Sequence, residues 1–382
     1  MYSLSAYGSM IADRVRVDAY AEALRKTVRA GSVVVELGTG PGIFAVLACQ
    51  LGASKVYAIE PAEIIQVARE VAAANGCADK IEFFEQLSNH VTLPSRADVM
   101  LSDLRGVLPL FQRHIPTIVD ARQRFLGPGG AMIPRRDVVW AAVAEAPKPY
   151  GEIVEPWDKN PFDQDLGPAR MLAVNDGQRV RVTPDQLLTG QKLWTTLDYA
   201  TVESHDVRGS LEWTVERAGT GHGIVVWFDT DLAEGIGFSN APGILETVYG
   251  SFFFPWDQPV PLQPGQTVGV SLEAKLVESD YVWRWTSHID PLSESSSSSA
   301  HFEQSQLAGA VLSPKQLRKL AADHIPQLSD EGVLRRRTME LMDGRRSLND
   351  IAHQLAKEFP QRFADWKQAL SYVGLVSQEF SR

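Results

Sequence analysis

The chain has 382 residues, 44% hydrophobic and 22% charged, a balance that fits a globular protein with room for two or three domains. Its net charge of −10 argues against bulk attraction to nucleic acid or to an anionic membrane surface. Two cysteines, Cys49 and Cys77, cannot make a disulfide framework and neither sits in a CxxC pair; the histidines are scattered, so no structural metal is expected.

No run reaches transmembrane length, and no basic stretch followed by a long apolar core opens the chain, so the expected location is cytoplasmic. Residues 1–30 predict an amphipathic helix, with Met10, Ile11, Val15, Ala19 and Leu24 near helical spacing. From 31 to 145 strands alternate with helices: strands at 33–37, 55–59, 81–84, 97–102, 131–133 and near 137–144, helices at 43–51, 62–75 and 112–125. That alternation is the mark of a parallel sheet, so the expected class is α/β with a Rossmann-like domain. Gly127-Pro128-Gly129-Gly130 is expected to turn the chain before the next strand.

Within this region the segment from Val33 to Glu60 is the most informative. A β run enters Glu36, then Gly38, Thr39, Gly40 and Gly42; a second β run from Lys55 ends at Glu60, before Pro61. Glycines let a ligand press against the backbone and allow positive φ. An acid closing the second strand, about 20 residues on, can accept both hydroxyls of a ribose. The spacing is G-x-G-x-G rather than G-x-G-x-x-G, and no Lys-Ser or Lys-Thr follows it. No basic residue occurs between Ala30 and Ser54, so nothing there would neutralise a pyrophosphate. A cationic nucleoside suits the segment better, with Glu36 placed to face it. The pattern resembles the first motif of class I methyltransferases that use S-adenosylmethionine.

After residue 146 short β-branched and aromatic segments separated by Gly and Pro predict a β-barrel or sandwich over 146–290. Residues 291–310, which include LSESSSSSAHFEQSQ, have the composition of a flexible linker. From 311 to 382 a compact tail carries 12 Lys/Arg against 9 Asp/Glu, whereas the remainder is strongly acidic; the asymmetry marks a separate module. Ser347 with Asp350 forms a capping-box pattern before Leu348, Ile351, Leu355 and Phe359.

The N-terminal helix carries M-x-x-D-x-x-R-x-x-x-Y, from Met10 through Asp13 and Arg16 to Tyr20. With the glycine loop, the β-rich second half and VTPDQLLT at 182–189, the chain from about 7 to 290 resembles the protein arginine methyltransferases. That resemblance implies S-adenosylmethionine as cofactor. It implies that Arg16 pairs with the methionyl carboxylate, Met10 packs beside the sulfonium and Glu60 holds the ribose. Glu36, Gly38, Thr39, Gly40, Gly42, Pro61 and Ser102 complete the implied cofactor set. Ser88 and Asn89 take the adenine position on a looser alignment. The resemblance also implies a homodimer, formed through an arm near 150–170.

On the acceptor side the chain departs from the family, whose loop after the fourth strand holds a guanidinium between two glutamates. Here that loop reads SDLRGVLPLFQ, with Asp103 and Gln112 at the two positions and Arg105 between them. A charge-assisted hydrogen bond contributes about 1.5–3 kcal/mol, so losing one anion weakens guanidinium binding. Arg105 adds a like charge and would suit an acceptor bearing a carboxylate or phosphate; it could equally be a surface arginine. Asp103 could accept a hydrogen bond from an amine or hydroxyl. The family's Thr-His-Trp loop aligns with Thr247-Val248-Tyr249, without the histidine. Trp213, Trp227, Tyr249, Trp256, Trp283 and Trp285 remain in the β domain, where aromatics usually build core.

The tail, with Gly344, Ser347-Leu348-Asn349-Asp350-Ile351-Ala352, Phe359-Pro360 and Leu370-x-x-Val373, resembles the small peptide-binding domain of pyrroloquinoline-quinone biosynthesis. That implies a winged-helix scaffold. The expected function is methyl transfer to a nitrogen or oxygen of a peptide, protein or small molecule. Two alternatives stay open: an arginine N-methyltransferase, and a non-catalytic protein that binds the cofactor and recruits a peptide.

Overall fold

The early strand runs are apolar on both faces, which suits strands covered by helices on each side. The computed structural model describes residues 2–244, 247–292 and 299–381. It divides into two compact units, Met1–Ala310 and Val311–Arg382.

The first unit opens with α1 (Leu4–Ala12) and α2 (Arg14–Thr27). There follow β1 (Val33–Leu37), α3 (Ile43–Gln50), β2 (Lys55–Ile59), α4 (Ile65–Ala74), β3 (Ile81–Phe84), β4 (Ala97–Ser102), α5 (His114–Phe125) and β5 (Leu126–Ile133). The five strands form one parallel sheet in the order β3-β2-β1-β4-β5. Val34, Val35, Leu37, Val56, Val99 and Leu101 fill its core. Strand order reverses between β1 and β4, and ligands of open parallel sheets bind beyond the strand ends at such a point. Glu36, Glu60 and Ser102 stand at or just beyond those ends, and Ser88–His90 forms a short turn after β3.

The Gly127–Gly130 segment is not the expected turn. Ala97 pairs with Leu126 and Val99 with Ala131, so the extra residues bulge out of a strand that continues.

The second half of this unit holds β6 (Arg136–Ala144), α6 (Pro147–Asp158), α7 (Gly167–Ala173), β7 (Gln178–Val180), β8 (Lys192–Asp198) and β9 (Val207–Thr214). Then come β10 (Gly219–Ala233), β11 (Ile236–Ser239), β12 (Ser251–Leu262), β13 (Thr267–Val277), β14 (Asp280–Ile289) and β15 (Ala300–Ser305). Two antiparallel sheets result, β7-β12-β10-β6-β8 with β11 on β10, and β15-β14-β13-β9, giving a barrel-like body. Trp213, Trp256 and Trp285 are fully buried in it. The Trp256 and Trp285 indoles donate to Ser287 Oγ at 2.9 Å and to the Pro255 carbonyl at 3.0 Å. These tryptophans are core.

The stretch expected to form an arm is built mostly of helices, and the expected linker is shorter than its composition implies. The stretch 150–170 is mostly helical: α6 packs Tyr150 and Val154 against Val180, Val225 and Phe253, while Trp157, Phe162 and Met171 stay exposed. The flexible linker does not extend over 300–305, because β15 pairs along β14 from Ala300↔Ile289 to Ser305↔Arg284. Its serine run at 293–298 lies outside the described residues.

The second unit contains α10 (Asp330–Leu341), α11 (Leu348–Glu358) and α12 (Trp366–Phe380), preceded by the short α9 (Pro314–Lys319); α8 (Gln306–Gly309) ends the first unit. Leu334, Leu341, Ile351, Leu355, Phe363 and Val373 form its core. The Ser347–Asp350 capping box is present. Among the described residues this unit contains no strand, so the wing of a winged helix is not built.

Candidate functional site

Glu36 ends up buried because β1 is central in the sheet; it is 3% exposed. Thr39 Oγ1 donates to its carboxylate at 2.6 Å. Burial pushes the Glu36 carboxyl up to about 8, outweighing the Thr39 and Ala45 hydrogen bonds that favour the charge. Gly38 has φ +71°, which favours glycine, and a Cβ there would press on the end of the Leu104 side chain. Glu60 accepts from the Gly40 N–H and the Ala62 N–H, each at 3.0 Å, and so joins the glycine loop to the turn after β2. The Tyr7 ring of α1 lies against Gly40, where a Cβ would meet it at 3.1 Å.

Asp13 caps α2, accepting from the Arg16 N–H at 3.1 Å, and its second oxygen accepts from the Val248 N–H at 2.8 Å. That pair ties the helix motif to the loop at 247–249. Arg16, 7% exposed, donates to Asp103 at 2.5 Å and to the Met10 carbonyl at 3.0 Å. Its Nε is buried without a partner. Such a donor is costly unless a ligand or a water satisfies it. Met10 is half-buried beside it.

Asp103 is the hub beyond β4. It accepts from Arg16, from Arg105 Nε and Nη2 at 3.3 and 3.2 Å, and from the Tyr249 hydroxyl at 2.7 and 2.8 Å. Burial works against its charge, but the Arg105 and Arg16 guanidinia prevail and hold its pKa below the usual carboxylate range. Burial, then the Asp103 charge, push the Tyr249 phenol well above its ordinary value.

Arg105 is neither a surface arginine nor a free anion receptor. Its side chain is 0% exposed and donates to Asp137 at 2.9 Å, to Thr230 at 2.8 Å, and to the Tyr20 hydroxyl. Tyr20 in turn donates to the Ser102 carbonyl at 3.0 Å. Gln112 does not join this buried group: it is exposed, with φ 43°, and its N–H is held by Asp280 at 2.9 Å. Pro61 and Asn89 are exposed, Ser88 is half-buried, and Thr39, Gly40, Gly42 and Ser102 are buried.

The sequence reasoning missed Asp137, Thr230 and Tyr199. Asp137 is fully buried, pairs with Arg105 and accepts from the Tyr199 hydroxyl at 2.5 Å. One signal was available: a single acid inside the otherwise apolar run DVVWAAVA of β6 demands a buried partner.

Two known protein families match parts of the chain. The model for ribosomal protein L11 methyltransferase matches residues 20–135, and the arginine methyltransferase oligomerization subdomain matches 138–285. Together they span both halves of the first unit. The chain is similar in sequence to several proteins named protein arginine N-methyltransferases. Protein arginine N-methyltransferase 2 of Homo sapiens is 28% identical, over 76% of this chain and 73% of that protein. Probable protein arginine N-methyltransferase 6 of Arabidopsis thaliana is 28% identical, over 59% of this chain and 53% of that protein. The Oryza sativa japonica protein arginine N-methyltransferase PRMT10 is 39% identical over 35% of this chain and 36% of its own. The chain thus matches from about a third to about three quarters of these relatives' lengths.

Two solved structures share the fold. A Trypanosoma brucei PRMT1 enzyme-prozyme heterotetrameric complex with AdoHcy superimposes with TM-score 0.73 at 18% identity, covering 79% of this chain and 98% of its own. Arabidopsis thaliana protein arginine methyltransferase 10 gives TM-score 0.69 at 23% identity, covering 80% and 98%. Among the described residues no group of His, Cys, Asp and Glu is arranged to hold a metal ion, and no helix is long and apolar enough to cross a membrane.

Proposed function

We propose that this chain is an S-adenosylmethionine-dependent methyltransferase acting on a nitrogen or oxygen of a peptide, protein or small molecule. The observation that carries the reading is the buried Arg16, whose Nε has no partner and whose charge favours the ionised form of Glu36. That donor set fits the cofactor. Arg16 would take its carboxylate, Glu36 its ammonium and Glu60 its ribose hydroxyls, with Met10 beside the sulfonium. Ser88 and Asn89 would flank the base; Gly38, Thr39, Gly40, Gly42, Pro61 and Ser102 would line the bed. When bound, the cofactor supplies an activated methyl for in-line displacement.

The rest falls to the chain's own residues. Asp103, kept ionised and held by Arg16, Arg105 and Tyr249, forms the wall against which the acceptor is aligned. Tyr249, kept protonated, holds Asp103 in place. The names of the relatives favour a second reading, arginine methylation, in which Asp103 alone would hold the guanidinium. A non-catalytic, peptide-recruiting protein is the third.

The match to an oligomerization subdomain and the exposed Trp157, Phe162 and Met171 around α6 and α7 support a homodimer. The tail from 311 is proposed to capture a peptide, on its sequence pattern alone, and the protein to work in the cytoplasm. Incubation with methyl-labelled S-adenosylmethionine and fractionated lysate, free arginine and an arginine-rich peptide separates the readings. Label in a non-arginine acceptor supports the first and label in arginine the second. Cofactor binding without transfer to any fraction supports the third.

A further inference from the structure

Asp103 has no free capacity. One oxygen accepts from Arg105 Nε, Arg105 Nη2 and Tyr249; the other accepts from Arg16 and Tyr249. A carboxylate offers about four lone-pair sites, so these donors saturate it.

The saturation is built in from within. The Arg105 guanidinium lies 5.2–5.8 Å from the ring centroids of Tyr20, Phe228, Phe238 and Tyr249. Rings at that range attract a cation through their faces. Asp137 and Thr230 bond its other edge, so every nitrogen of the guanidinium is engaged. The acids Asp103 and Asp137 are balanced by Arg16 and Arg105, and the group is neutral as a whole. A cationic acceptor arriving beside Asp103 meets neither an unpaired anion nor an open aromatic cage.

We infer that Arg105 is the specificity-determining residue of the acceptor site: an internal guanidinium that occupies the acid-and-aromatic cage, so that the acceptor held beside Asp103 is uncharged. The inference rests on the methyltransferase reading above, which puts the acceptor at Asp103. Arg105 is buried and acts through Asp103, so it is a positioning residue.

The test compares two peptides of one sequence, with arginine or with its uncharged isostere citrulline at the central position. Binding is measured by calorimetry on the full chain with S-adenosylhomocysteine present. Wild type is expected to bind the citrulline peptide at least as tightly as the arginine peptide. In R105M the preference is expected to move at least tenfold toward arginine. R105Q, which keeps amide donors for Asp137 and Thr230, should move the same way if R105M fails to fold. A wild-type preference for arginine overturns the inference. So does an affinity ratio that a folded R105M or R105Q leaves unchanged, including no binding of either peptide. Titrating S-adenosylhomocysteine into the same samples reports separately on the methyltransferase reading. Loss of an Asp137 contact alone would lower stability without moving the arginine-to-citrulline ratio.

Discussion

Glu36 is a carboxyl that the fold prefers to keep neutral. Its pKa is raised by burial to about 8, so between about 4.5 and about 8 the folded chain holds a proton that the unfolded chain has lost. Its contribution to stability is therefore present below that window and lost as pH rises through it. Thermal melts should show Glu36→Gln flattening the fall in melting temperature from pH 5 to pH 8. An ammonium beside Glu36 would reverse the preference. Binding of S-adenosylhomocysteine at pH 7 should then release close to one proton, measured by calorimetry in buffers of different ionisation enthalpy, and Glu36→Gln should remove the release. Arg16→Ala should weaken the same ligand by roughly ten- to a hundredfold, since a charge-assisted hydrogen bond contributes about 1.5–3 kcal/mol. These residues could be singled out in the sequence because their signals are local: a helix motif, a glycine loop, an acid closing a strand. The role of Arg105 could not be read in this way. Its partners Asp137 and Thr230 lie 32 and 125 residues away, and no spacing along the chain shows that three such positions converge.

Strands and helices were easiest to read where periodicity and end signals agreed. The runs at 33–37, 55–59, 81–84 and 97–102 are strands in the structure, in one parallel sheet. Gly-Pro-Gly-Gly misled because glycine and proline mark a bulge as well as a turn, and only the partner register separates the two. The serine-rich stretch misled at 300–305, where β14 supplies the partner that composition cannot reveal. At this scale Gly223 of β10 is the sharpest test. It sits beside a register shift against β12, and a Cβ there would run into the Phe254 carbonyl oxygen. Gly223→Ala should cost about 1–3 kcal/mol in denaturant unfolding, as overpacking does. Gly8→Ala is the control: it lies on α1 with nothing within 4 Å, and should be neutral or stabilise by up to about 1 kcal/mol.

Across the molecule, one unit carries all the residues of the proposed site and the other has its own core. A chain cut after Ala310 should stay folded and bind S-adenosylhomocysteine as the full chain does, by circular dichroism and calorimetry. A large loss of affinity would tie the tail to cofactor binding. The architecture of the first unit was legible because strand–helix alternation and then strand-rich style are properties of long stretches. The tail was legible as a separate helical module from its charge and capping box, but its fold was not, because short helical patterns suit several three-helix packings. The strand ends at Glu36 and Glu60, together with Arg16 of α2, are proposed to bind a sulfonium nucleoside. Calorimetric titration of the purified chain with S-adenosylmethionine and with its demethylated product tests it most directly. One site per chain is expected for each, lost in Glu60→Ala. No heat with either compound, together with binding of a nicotinamide dinucleotide or a nucleoside triphosphate, would contradict it.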